Sequence, residues 1–248
     1  MELGNLIREG NTAKIYLSDK KIVKQFKSLG IAEAEKEAAK QQHAIKLGLN
    51  VPEIYDIKMI NGQASIVMEY ISGETLGDLL LNQKKEAAEV MNLAVDLQIS
   101  MHQRKAKNFE KMPEKLYRQI MSEKILDNGL KKNLLAQISA LSSGYQLCHG
   151  DFHLFNLIKK GEQIFIIDWV DATAGDIRAD VFRSYLLYLE HRPELAELYL
   201  KLYCEKSRLT PHDVFVWAKV IAAARLSENV SSEQKKLLLK MVKEGNPL

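Results

Sequence analysis

The segment Gln146-Leu147-Cys148-His149-Gly150-Asp151-Phe152-His153-Leu154-Phe155-Asn156-Leu157 carries an aspartate two residues after a histidine and five before an asparagine. A second apolar run, Ile164-Phe165-Ile166-Ile167, ends on Asp168. Asp151 could orient an attacking hydroxyl, while Asn156 and Asp168 offer oxygen ligands of the kind that hold the magnesium bridging a nucleotide's phosphates. The chemistry these groups suit is phosphoryl transfer.

The order His-x-Asp-x-x-x-x-Asn, then a strand, then Asp, is the kinase catalytic-loop signature with its metal aspartate. At roughly five per cent usage per residue type, its three fixed positions would match by accident in only about a few per cent of chains this long. The plainer alternative is a β-hairpin whose Asp and Asn make turn hydrogen bonds. The elements around the segment decide against it, because they supply the context such a motif requires.

Those elements begin with β-structure over residues 1–29: a turn at 9–13, a strand at 14–17, a turn at 18–20 and a strand at 22–26. In a nucleotide-binding lobe the first turn, with its single glycine Gly10, would cover the phosphates, and Lys24 would reach the α- and β-phosphates. Residues 31–47 read as a helix of good helix formers that stops at Gly48. A glutamate here would hold Lys24 by an ion pair, and Glu33, Glu35 and Glu37 all qualify; periodicity does not choose among them. Strands at 54–57 and 64–68 flank Asn61-Gly62, and strand character then gives way to helix beyond residue 72. That change marks a boundary between a lobe at 1–72 and a larger one at 73–248.

In the larger part, helices are expected over 85–106, around Leu116 to Ile125, around Leu134 to Leu141, and over 178–191, 193–206, 211–228 and 232–244. Thr210-Pro211 supplies an N-cap followed by a proline at the first helical position, and Ser231 with Gln234 fits a capping box. His102, near one helix end, reads as a hydrogen-bonded structural residue. Cys148 and Cys204 lack metal-ligand or disulfide spacing and read as buried, reduced and structural.

Composition bounds the rest. The chain has 248 residues, is 46% hydrophobic and 27% charged, and has a net charge of +3. These values fit a globular protein with interspersed surface charge and point to neither nucleic acid nor an anionic membrane. No apolar run is long enough to span a bilayer and the N-terminus does not read as a signal peptide, so a cytoplasmic location is expected. Oligomeric state is not legible.

Taken in order, the sequence resembles the aminoglycoside phosphotransferase and choline kinase family. The resemblance covers nearly the whole chain and rests on four stretches. They are Ile66-Val67-Met68-Glu69-Tyr70-Ile71-Ser72-Gly73-Glu74-Thr75-Leu76, His149 to Asn156, Ile166-Ile167-Asp168-Trp169, and Gly175-Asp176-Ile177-Arg178-Ala179-Asp180. It implies an α+β, two-lobed protein-kinase-like fold with a small β-rich nucleotide-binding lobe and a larger, mainly helical lobe for catalysis and acceptor binding. It also implies that Asp151 is the catalytic base, that Asn156 and Asp168 hold Mg2+, and that Lys24, paired with Glu37, binds the phosphates of ATP or GTP. The Gly10 turn would cover the phosphates, Glu69 and Ile71 would offer backbone groups to the purine, and Asp180 would brace the catalytic loop.

Asp168 is followed by Trp169-Val170 rather than Phe-Gly, and eleven residues separate it from Asp180. That leaves no room for a protein-kinase activation loop, so a small-molecule hydroxyl is the expected acceptor. A cationic acceptor would need acidic groups, for which Asp171, Asp176, Glu190 and Glu228 are candidates. The competing expectation is a nucleotide-binding pseudokinase that serves as a partner-binding module, suggested by the glycine-poor turn.

Overall fold

The computed structural model describes residues 3–10 and 12–245. Contacts divide the chain into two compact units: Met1–Lys84 with Leu154–Val170, and Lys85–His153 with Asp171–Leu248.

The first unit is built on strands β1 (Asn5–Glu9), β2 (Ala13–Ser18), β3 (Lys21–Phe26), β4 (Ile54–Ile60) and β5 (Gln63–Glu69), with helix α1 (Ile31–Lys46) between β3 and β4. The strands form an antiparallel sheet in the order β1-β2-β3-β5-β4. Asp19-Lys20 and Asn61-Gly62 turn two of its hairpins with all four residues at positive φ, the geometry that matches the twist of the flanking strands. The expected turn at 9–13 is closed by a bond from Gly10 N–H to the Ala13 carbonyl at 2.9 Å, and Asn11 within it lies outside the described residues. Alternation along the strands gives the sheet two apolar faces. Phe26, Ala64, Ile66 and Met68 pack with Ala34 and Ala38 of α1, while Val23, Ile60 and Val67 cluster separately. Gly48, with φ at 78°, follows the end of α1 where a side chain would be strained.

Contacts do not divide the chain by a single cut after residue 72. The short strand β6 (Glu74–Thr75) leads into α2 (Leu76–Leu81), and it pairs with one strand of a hairpin far along the chain. In chain order β7 (Gln146–Cys148) comes first, then a 3-10 turn at Leu154–Asn156, then that hairpin, β8 (Leu157–Lys160) and β9 (Gln163–Ile166). The β6-β8-β9 sheet, with a bond from Ile166 N–H to the Asn50 carbonyl at 2.9 Å, fastens Leu154–Val170 to the first unit. The expected apolar strand at 164–167 is thus the second arm of a hairpin turned at Gly161.

The second unit is mainly helical: α3 (Ala87–His102), α4 (Met112–Ser122), α5 (Asn128–Leu141), α6 (Ile177–Leu189), α7 (Pro193–Ser207), α8 (Pro211–Phe215), α9 (Ala218–Arg225) and α10 (Ser232–Glu244). Within it β7 pairs with β10 (Thr173–Gly175), placing Thr173 opposite Cys148. The capping boxes at Thr210 and Ser231 are both formed. The single helix expected over 211–228 is instead two, because Trp217 N–H bonds to the Val214 carbonyl three residues back, a tightening that seats the Trp217 indole in the core. Cys148 is buried as expected, whereas Cys204 is only half-buried; both are free thiols. Among the described residues no helix is long and apolar enough to cross a membrane.

The β6 to β8 contact gives a direct test. A Cβ on Gly73 would stand 2.1 Å from the Lys159 carbonyl oxygen, whereas one on Gly62 would meet nothing within 4 Å and suffer only from its φ of 78°. Gly73→Ala is expected to cost about 1–3 kcal/mol through forced displacement, more than Gly62→Ala at roughly 1 kcal/mol. Urea denaturation of the two variants should rank them in that order, and equal midpoints would show that the strand approach does not hold the segment.

Candidate active site

The loop after β7 is fixed from within the second unit. Gly150 has φ at 81°, and a Cβ there would lie 2.7 Å from the Asp171 carbonyl oxygen, so only glycine fits. Its N–H donates to Asp180 Oδ1 at 2.7 Å, and His149 N–H donates to Asp180 Oδ2 at 3.2 Å. Its carbonyl accepts from Arg183 Nε at 3.0 Å. Asp180 is fully buried and is itself held by His102 Nε2 at 2.9 Å and Gln98 Nε2 at 3.3 Å. The Tyr203 hydroxyl lies 2.6 Å from His102 Nδ1. Burial acts to raise the Asp180 pKa, but His102 and the loop N–H groups outweigh it and hold the carboxyl below its ordinary range. His102 is therefore a structural residue, as its place in the sequence suggested.

Asp151 follows on this fixed backbone. His153 Nε2 lies 3.4 Å from one of its carboxylate oxygens and Arg183 Nη2 4.0 Å from the other. Desolvation works against the charge, yet His153 and then Arg183 and His149 hold the Asp151 pKa well below the usual carboxylate range. The carboxylate is anionic at neutral pH, and so stands ready to accept a hydrogen bond from a hydroxyl.

The first unit gathers a second cluster. Lys24, on β3, donates to Glu37 Oε1 at 2.6 Å from α1 and to Asp168 Oδ1 at 2.9 Å just beyond β9. Burial alone would lower the Lys24 pKa, but Asp168 and Glu37 together raise it, so the ammonium stays charged. Glu37 is buried, its Oε2 has no partner among the described residues, and desolvation pushes its pKa up. Asp168 is the more open of the two acids, at 40% side-chain exposure. Its φ of 64° lies in the left-handed region, a strained placement of the kind found at functional sites.

Asn156 ends the 3-10 turn, is buried, and accepts Ile167 N–H at its carbonyl, 3.0 Å away, which sets the Asn156 and Asp168 backbones side by side. Gly77 leaves room for the Phe155 ring beside it, since a Cβ there would fall 2.5 Å from that ring. The Asn156 amide and the Asp168 carboxylate each carry a side-chain oxygen, the donor type hard divalent cations prefer. Glu69 ends β5, with its N–H bonded to the Glu53 carbonyl at 2.8 Å and its backbone paired with Lys21 of β3; Ile71 is buried two residues on. Gly10 is exposed on the turn before β2.

The acidic candidates for a cationic acceptor are all ion-paired. Asp171 meets Lys115 at 2.5 Å, Asp176 meets Arg178 at 2.5 Å, Glu190 meets Arg225 at 3.1 Å, and Glu228 meets Arg183 at 2.9 Å and also Arg225. His153 and Arg183, the groups beside Asp151, had no role assigned from sequence. His153 could have been noticed from its place two residues after Asp151, but nothing local marks Arg183. His102, Cys148 and Asp180 also approach within 4.8 Å of one another. The Asp180 and His102 atoms are already hydrogen-bonded, and burial raises the Cys148 thiol pKa, so that group is structural.

A β-rich unit with a lysine held by a helix glutamate and a post-strand aspartate, and a helical unit with an aspartate on a braced loop, define a protein-kinase-like phosphotransferase. Residues 5–220 match the model of the phosphotransferase enzyme family, and the chain belongs to that family. It is a small-molecule phosphotransferase with a hydroxyl as acceptor. No curated protein matches it. Among solved structures it is similar to the choline kinase LicA from Streptococcus pneumoniae, at 16% identity over 98% of this chain and 92% of that one, with a TM-score of 0.64. It is also similar to an amicoumacin kinase in complex with AMP-PNP and Ca2+, at 14% identity over 98% and 87%, with a TM-score of 0.62. A third likeness is to the GDP complex of aminoglycoside 2'-phosphotransferase-IIIa, at 18% identity over 97% and 91%, with a TM-score of 0.62.

Removing the Asp180 carboxylate would leave His102 and two buried loop N–H groups without their acceptor. Asp180→Ala should therefore cost about 3–5 kcal/mol. Because the folded pKa is depressed, the wild type keeps this contribution above the ordinary carboxylate range and loses it as pH falls through the folded value, below roughly pH 4. A thermal-stability profile against pH should show that acid step in the wild type and a smaller one in Asp180→Ala.

Proposed function

We propose that the chain transfers the γ-phosphoryl group of ATP or GTP to a hydroxyl of a small molecule, with Asp151 as the base. The observation that carries the reading is the pairing of Lys24 with both Glu37 and Asp168. It keeps a buried cation charged and aimed beside an open carboxylate, and a polyphosphate is the ligand that such a cation suits.

Lys24 would contact the nucleotide phosphates, with the Gly10 turn above them, while the Glu69 carbonyl and the Ile71 N–H would meet the purine edge. Asn156 and Asp168 would hold Mg2+, which when bound neutralises phosphate charge. Asp151, already anionic, orients the acceptor hydroxyl and takes its proton as the new bond forms. Because phosphoryl transfer passes through a loose transition state, positioning and electrostatics account for most of the rate. The AMP-PNP and GDP carried by similar proteins keep both purines as candidate donors.

Magnesium-dependent thermal protection by ATP and by GTP tests the nucleotide half. A donor at about a hundred times its Kd should add roughly 2.7 kcal/mol to the wild type. Asp168→Ala should lose most of that shift, and no shift with either nucleotide would sink the reading.

Asp151→Ala should abolish transfer while leaving nucleotide protection largely intact; undiminished turnover would remove Asp151 from its role. Since the Asp151 pKa is lowered, the wild-type rate should show no acid limb from this group in the ordinary carboxylate range near pH 4. A kcat profile that fell with a pKa there would assign the base elsewhere.

A further inference from the structure

A cavity of about 40 Å³ opens in the second unit between α4, α6 and α9 and is lined in part by Gly150 and Arg183. It holds about three water-sized groups, so it takes one end of an acceptor. Arg183 ties it to the base: Nε binds the Gly150 carbonyl at 3.0 Å and Nη2 lies 4.0 Å from Asp151 Oδ1. The third nitrogen, Nη1, has no hydrogen-bond partner among the described residues, although Arg183 is only 8% exposed. A buried guanidinium donor without an acceptor is costly, and a ligand oxygen would remove that cost.

We propose that this cavity takes an uncharged, polyhydroxylated acceptor, of the sugar or polyol class, with Arg183 Nη1 donating to one of its oxygens. The inference rests on the phosphotransferase reading and specifies its acceptor. Charge around the cavity is already balanced. Of the charged groups lining it, Lys115, Arg183 and Arg225 are matched in number by Asp171, Asp180 and Glu228; Lys115 pairs with Asp171, both arginines with Glu228, and Asp180 is held by His102. Among the described residues lining it, a polycation finds no unpaired carboxylate and an anion finds no unpaired cation. A hydroxyl can donate and accept at once, so it can satisfy Nη1 while donating to a carboxylate such as Asp171 or Asp151. Met112, Leu116 and Ile221 supply apolar wall against which the C–H groups of a polyol can pack.

The test is transfer of radiolabelled γ-phosphate from ATP or GTP, with magnesium, to three acceptor sets: neutral sugars and polyols, aminoglycosides with choline, and hydroxy acids with sugar phosphates. A neutral acceptor is expected to lead both other sets by about tenfold or more in kcat/KM. For that acceptor Arg183→Lys, which keeps the charge but loses the fork, should raise the acceptor KM by about tenfold and leave the nucleotide KM within about twofold. Ala224→Leu, which fills the cavity from α9, should raise the acceptor KM in the same way. The acceptor class is overturned by preference for either charged set, or by no transfer to any neutral acceptor. It is also overturned by an Arg183→Lys variant that lowers kcat alone, which would mark Arg183 as a brace for Gly150. Magnesium-dependent nucleotide protection, measured on the same preparations, judges the phosphotransferase reading separately.

Discussion

One turn of α6 grips both sides of a single glycine. Asp180 and Arg183 are three residues apart, so they project from the same helix face. Asp180 takes the Gly150 N–H and Arg183 takes the Gly150 carbonyl, at 2.7 and 3.0 Å. The residue so held is the one before Asp151, and its φ of 81° is open to glycine at no steric cost. Everything that Asp151 can do depends on this clamp. The clamp depends in turn on a buried carboxylate that His102, Gln98 and two backbone N–H groups keep ionised. An aspartate buried this deeply would be destabilising without such partners.

The first unit solves a related problem with the opposite sign. Lys24 is taken out of water and given two carboxylates, one buried and one open. Burial and attraction compete, and attraction wins for the lysine because two acids face one base. The same desolvation leaves Glu37 with its pKa raised and one oxygen unpartnered among the described residues. The open carboxylate, Asp168, is the one on a strained backbone, so local cost and functional position coincide.

Much of this was legible because it is local. The Asp151, Asn156 and Asp168 spacing is carried on consecutive elements, and the caps at Thr210 and Ser231 are written in three or four residues. Glu37 needed the resemblance, because only the fold shows which glutamate of α1 is buried. Ala34, Ala38, Gln41 and Ala44 form the buried stripe; Glu37 lies with it, while Glu33 and Glu35 are exposed. The split of the last long helix at Trp217 was not legible, since the periodicity passes through it and tertiary packing of the indole decides the outcome.

The acceptor side was illegible for a different reason. Asp171, Asp176, Glu190 and Glu228 read as a possible acidic pocket only while their partners are unknown. Lys115 is 56 residues from Asp171, Arg225 is 35 from Glu190, and Arg183 is 45 from Glu228, so no short window contains both halves of these three pairs; only Arg178 beside Asp176 and Arg225 beside Glu228 are local. Pairing changes what the carboxylates can recognise. A free acid binds an ammonium group, whereas an acid already bound to a guanidinium keeps lone pairs for hydroxyl donors but has little net charge to offer. The composition of the pocket and its chemistry are thus separate facts, and only the second selects an acceptor.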